Sequence, residues 1–86
     1  MEYTTKSKEL LEELLSPIPF FVRPMAKKMI DKKIREVASE KGHSQIEEDD
    51  VIRGYIIAGE KKDQARIKEF LEKKGIDLSA YQELFK

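Results

Sequence analysis

Cysteine is absent from this 86-residue chain, which rules out disulfide bridges, thiolate nucleophiles, Cys-ligated zinc and iron–sulfur clusters. No apolar run approaches the length needed to span a bilayer. Residues 1–16 are laced with charge, so they hold no apolar signal-peptide core. These absences lead to the expectation of a cytoplasmic protein with no membrane partner. No excess charge of either sign is present: 17 Lys and Arg balance 17 Asp and Glu. A nucleic-acid binder normally shows a basic excess, so nucleic acid is a disfavoured partner. The sequence contains no G-x-S-x-G, P-loop, G-x-G-x-x-G, H-E-x-x-H or zinc-ligand pattern. No catalytic residue, cofactor or metal is therefore assigned, and the chain is expected not to be an enzyme.

Apolar residues make up 40% of the chain and charged residues another 40%, with a mean hydropathy of −0.60. The apolar residues recur at helical spacing, which argues against disorder. A chain this short buries roughly 60–65% of the surface exposed when unfolded, enough for one modest core and no second domain. A single domain over 1–86 is expected.

Leu10, Leu11, Leu14 and Leu15 form one stripe of a helix over residues 5–15. Ser16-Pro17 ends it, because a residue before proline is pushed out of the helical region. Pro17-Ile18-Pro19 is a stiff connector. A longer second helix starts near Arg23-Pro24, where proline costs nothing in the first turn, with Pro19 as an alternative earlier start, and Gly42 is its stop. Its apolar positions are Val22, Met25, Ala26, Met29, Ile30, Ile34, Val37 and Ala38. Ser44-Gln45-Ile46-Glu47 has the capping-box form and leads into a third helix ending near Ala58, with Ile46, Val51, Ile52, Tyr55 and Ile56 inward. A fourth helix over about 60–74 points Ala65, Ile67, Phe70 and Leu71 inward and ends at Gly75. Asp77 or Ser79 caps a last short segment carrying Leu78, Tyr81, Leu84 and Phe85, which docks either on this core or on another copy of the chain. No segment alternates with the period of a strand. The predicted class is all-α: a small bundle of four to five short helices with a longer second helix.

Charge is unevenly placed along the chain. Residues 23–41 hold seven basic groups against three acidic ones, and the block Glu47-Glu48-Asp49-Asp50 follows. Arg23, with Lys27 and Lys28 one turn on, puts positive charge at the end of a helix that already favours an anion. Either an external anion or acidic partner answers it, or Glu47–Asp50 or an acid of the first helix does so within the domain; the second is the simpler reading. Phe20 and Phe21 are adjacent, so a regular helix cannot turn both to one core. A bend at the prolines packs both; otherwise one stays exposed beside Arg23 as a contact point. His43, the only histidine, is expected to face solvent in a turn. The four acids complement the dipole of the third helix and lack the alternating ligands and turn glycine of a calcium loop. Lys27, Lys28, Lys32, Lys33, Arg35 and Lys41 lie mostly opposite the apolar stripe, and Lys28 with Lys32, and Lys28 with Arg35, form a short positive ridge diluted by Asp31 and Glu36.

Ile18-Pro19-Phe20-Phe21-Val22-Arg23, followed by a basic amphipathic helix, Gly42 and an acidic helix opened by Ile46, resembles the C-terminal domain of the B subunit of light-independent protochlorophyllide reductase. The resemblance covers residues 16–58; residues 1–15 and the C-terminal helices over 60–86 lie outside it. In such a reductase, electrons reach a tetrapyrrole through a Cys-ligated cluster held mainly elsewhere in the assembly. The resemblance therefore implies a non-catalytic accessory or interaction domain, partnered by another protein or a larger reductase-like subunit. Phe20, Phe21, Arg23 and Lys27 are the candidate partner- or anion-binding residues. Two alternatives are a small nucleic-acid-associated helical protein and a component of a tetrapyrrole-reducing complex active only with its partner subunits.

Overall fold

Thr4 opens the first helix, α1 (Thr5–Leu15), by accepting the Ser7 N–H on its side-chain oxygen at 3.1 Å. The computed structural model describes residues 1–85; Lys86, the last residue of the expected domain, lies outside them. After the proline turn comes α2 (Arg23–Glu40), then α3 (Glu48–Ala58) and α4 (Gln64–Lys73), with single 3₁₀ turns at Lys61–Asp63, Leu78–Ala80 and Gln82–Leu84. The fold is all-α, a small bundle with a longer second helix. Gly42 (φ 71°) and Gly75 (φ 82°) terminate α2 and α4 in the left-handed region. At both ends the following residue completes the motif, His43 N–H donating to Ala38 O and Ile76 N–H to Leu71 O.

The most extensive helix contact pairs α2 with α3. Ile34 packs directly on Gly54, which has no side chain to hold the helices apart: a Cβ there falls 2.6 Å from Ile34 Cα and closer still to its Cγ1. Around this crossing Leu11, Leu14 and Leu15 of α1, Ile30 and Ala38 of α2, and Val51, Ile52, Tyr55 and Ile56 of α3 form the core. Ile67 and Leu71 of α4 join them, as do Leu78 and Tyr81 from the C-terminal segment. That segment thus docks on its own core, with Leu84 and Phe85 packed against it.

Several positions differ from the sequence expectation. The third helix begins a turn later than Ser44 predicts: Asp50, in its first turn, accepts the Glu47 N–H at 2.9 Å. Ser44–Ile46 are not helical, because Ile46 pairs instead with the N-terminal segment. Thr4 N–H donates to Ile46 O, Ile46 N–H to Glu2 O, and Ser7 Oγ to Ile46 O at 2.7 Å. This parallel bridge between Tyr3 and Ile46 has no period-two signature, since it is one residue long. On α4, Ala65 is exposed and Gln64 is buried, its amide donating to Gly59 O and Glu60 O.

The largest difference lies on α2. Its predicted inward stripe, Val22 to Ala38, covers about 220° of the helix circumference at ~100° per residue. Only the part centred on Ile30, Ile34, Val37 and Ala38 is buried, and Val22, Met25 and Met29 face outward. The reason is angular: at ~100° per residue Val22, Met25 and Met29 lie about 120–180° round the axis from Ile34, on the side that α1 and α3 leave uncovered, while Ile30 in the same turns is buried.

Gly54→Ala tests the crossing. The added methyl meets the Ile34 backbone, so it is expected to destabilise the fold by about 3 kcal/mol in urea unfolding, whereas Gly75→Ala, with nothing within 4 Å of the added atom, loses only its backbone preference.

Candidate functional site

Two prolines determine the shape of the α1–α2 connection. Ile18 N–H returns to Leu15 O at 3.0 Å, closing the end of α1, and Val22 and Arg23 N–H groups both reach Pro19 O. Ile18 turns inward and packs against the core. The chain then reverses, and Phe20 and Phe21 project into solvent, 79% and 74% exposed. Core packing of both phenylalanines, expected from a bend at the prolines, does not occur: the bend aims Ile18 inward and leaves no helix over the next two side chains. Their rings meet edge to face with centroids 5.8 Å apart. Val22 (42%), Met25 (72%) and Met29 (58%) continue this exposed apolar face along α2.

Arg23 holds the turn from inside. Its Nε donates to Ile18 O at 3.2 Å, and Nη2 donates to Ile18 O at 2.8 Å and Ser16 O at 3.3 Å. It pairs neither with Glu47–Asp50 nor with an acid of α1; its acceptors are the backbone carbonyls of Ser16, which caps α1, and of Ile18 in the proline connector. Lys27 lies on another flank, exposed in an open groove of about 380 Å³ with Tyr3, Lys8 and Arg35. Of the four candidates, the turn therefore brings Phe20 and Phe21 together, while Arg23 is bound to the backbone of the turn and Lys27 stands apart. Val22, Met25 and Met29 were missed as surface residues. The signal was the excessive width of the stripe, wider than one packed face requires.

Carboxylates elsewhere are bound into internal networks. Asp31 accepts from the Tyr3 hydroxyl and, at 2.9 Å, from Arg35, whose Nη1 also donates to Met1 O. Asp49 accepts from the Tyr81 hydroxyl at 2.8 Å and from Arg53 at 3.0 Å, with Lys41 3.4 Å away. Burial pushes the Asp49 carboxyl upward, but these donors and cations outweigh it and hold the group below the usual carboxylate range. His43 is not turned to solvent: its Nδ1 lies 2.8 Å from Oδ2 of Asp50, a fully buried residue whose Oδ1 has no hydrogen-bond partner. By contrast, Lys27, Lys28 and Lys32 have no carboxylate partner among the described residues, and α2 has no acid in its first turn. Also among the described residues, no three His, Asp or Glu side chains gather as a metal site, and no helix is long and apolar enough to cross a membrane.

Comparison with known proteins identifies relatives outside the expected family. A family model described as "Protein of unknown function (DUF2621)" matches residues 1–85. Membrane protein YneK of Bacillus subtilis (strain 168) is 38% identical over 84 residues, 98% of this chain. The chain spans 59% of that relative's length. No solved structure matches. These findings overturn the resemblance to the protochlorophyllide reductase domain and the accessory function inferred from it, and they give no support to the nucleic-acid or tetrapyrrole alternatives. The expectation of a cytoplasmic protein is withdrawn as well, since the relative carries the name of a membrane protein.

Two measurements follow from the polar geometry. Arg23→Ala removes the donors to Ile18 and Ser16 and is expected to lower stability by about 1–2 kcal/mol in urea unfolding, with Arg23→Lys rescuing little because one ammonium cannot reproduce the fork. At alkaline pH, burial raises the phenols of Tyr3, Tyr55 and Tyr81, and beside Asp49 the Tyr81 hydroxyl is pushed up to about 12. A raised folded value means stability that is complete below the unfolded value near 10 and lost as pH rises through the folded one. Unfolding free energy should therefore decline between pH ~10 and ~12, and Tyr81→Phe should make that decline shallower.

Proposed function

The chain belongs to the DUF2621 family, and from that premise we propose that it is a non-catalytic helical domain that docks on the surface of a lipid bilayer through its Phe20–Met29 face. The observation that carries this reading is the side-by-side exposure of Phe20, Phe21, Val22, Met25 and Met29 at one end of the bundle. Isolated apolar side chains on a protein surface need no explanation, but a contiguous group of five large ones marks an interaction site. A relative named as a membrane protein supports a bilayer as the surface met.

The contact proposed is interfacial. Aromatic rings and flexible methionines enter the boundary between headgroups and acyl chains, while the charged sides of α2 remain in water. The chain geometry suits this role: Arg23 and the prolines stiffen the turn, so little order has to be gained when the phenylalanines insert. Each ring removed from water contributes roughly 1.5–3 kcal/mol, so two rings and two methionines suffice for reversible binding. The residues on this face are apolar or basic; they insert and attract, and none is placed to move a proton or attack a bond at neutral pH.

Flotation of the purified chain with phospholipid vesicles tests the reading. Wild-type protein should float with the vesicles. Phe20→Ser/Phe21→Ser should reduce binding by at least about tenfold while leaving unfolding free energy within ~0.5 kcal/mol, since both side chains are already solvent-exposed. The reading fails if wild type stays unbound, or if the same pair of residues instead proves to hold a dimer together in sedimentation.

A further inference from the structure

We infer that the docking face is selective for anionic lipid, with Lys28 and Lys32 as the residues that meet the headgroup phosphates. This inference rests on the bilayer reading and adds the class of lipid to it. At ~100° per residue, Met25, Met29, Lys28 and Lys32 fall within about 100° of one another on α2, on the side away from Ile30 and Ile34. Apolar anchors and cations therefore share one face and reach the same plane: the methionines insert beside the rings, and the long lysine stems lie along the apolar surface with their ammonium groups at headgroup depth.

Charge accounting favours an external anion. From Ile18 to Lys32 the chain carries Arg23, Lys27, Lys28 and Lys32 against Asp31 alone. Asp31 is already taken by Tyr3 and Arg35, and Arg23 by backbone carbonyls. Farther along the same face Glu36 is paired with Lys33, so among the described residues the lysines of α2 without a carboxylate partner are Lys27, Lys28 and Lys32, in the turns beside the methionines. Lys28 and Lys32 are both exposed and have no carboxylate partner among the described residues, whereas Arg35 of α2, Lys41 just past its end and Arg53 of α3 have carboxylates within 4 Å. The N-terminal end of α2 adds potential of the same sign, with no acidic side chain in its first turn to offset it. Net neutrality of the whole chain does not oppose this, because charges beyond about 8 Å are screened at physiological salt.

The experiment compares binding to vesicles of phosphatidylcholine alone and of phosphatidylcholine mixed with phosphatidylglycerol, for the full chain and its variants. Wild type should bind the mixed vesicles more tightly, and added salt should erase that difference. Each lysine near an anionic surface strengthens binding about fivefold, so Lys28→Gln/Lys32→Gln should lose roughly 10- to 25-fold on mixed vesicles and change little on neutral ones. Lys6→Gln/Lys73→Gln removes the same charge from outside this face and should keep the preference. Equal wild-type binding to both vesicles overturns the inference while leaving docking intact, as does a Lys28→Gln/Lys32→Gln variant that keeps the preference. Absence of binding to either vesicle overturns docking itself, and the lipid preference with it.

Discussion

Every other contact in this bundle is arranged around the place where Ile34 lies on Gly54. With hydrogen in place of a side chain at Gly54, α3 approaches the backbone of α2 closely enough for Ile34 to be fully enclosed. That closeness fixes which side of α2 is inside. It brings Ile30 and Ala38 to the same interior, and it lets the leucines of α1 close the remaining side. The N-terminal bridge at Ile46 and the C-terminal turns carrying Leu78 and Tyr81 then cover the edges of a core too small to tolerate open ends.

The same crossing explains why an apolar surface is left over. Packing against α1 and α3 buries one side of α2, and the uncovered side projects Met25 and Met29, next to the N-cap residue Val22, into solvent. The prolines before it exaggerate the effect, because they bury Ile18 and reverse the chain so that the two phenylalanines continue the projection. Electrostatics separates in the same manner. Acids sit where tyrosines from the terminal segments and arginines one turn along the same helix reach them, as at Asp31 and Asp49, and among the described residues Lys27, Lys28 and Lys32 of α2 have no carboxylate partner.

The IPFFVR string shows how a local motif can mislead about kinship. Its residues encode a proline-shaped reversal in which Arg23 binds the carbonyls of Ser16 and Ile18 across the turn. That is a statement about one turn, and the turn is a structural device that carries no information on electron transfer or tetrapyrroles. The match over residues 1–85 to a different family, together with a relative similar along nearly the whole chain, outweighs a likeness confined to one stretch.

Local chemistry determined much of the secondary structure. Residues 5–15 are helical as their leucine stripe indicates, Pro24 marks the first turn of α2, and Gly42 and Gly75 end helices where a positive φ is needed. The all-α class and most of the core follow from periodicity, because burial repeats with the helical turn. Periodicity could not say how much of the wide stripe on α2 would be covered. Nor could it show that Ile46 would leave the helix to pair with the N-terminus, or that Arg23 would choose carbonyls over carboxylates. Those outcomes depend on which elements arrive alongside, and a neighbour supplied from distant sequence leaves no trace in the local pattern. The candidate face is therefore a product of tertiary structure: its residues were visible as apolar and basic, and only the choice of which side of α2 the other helices cover placed them outside.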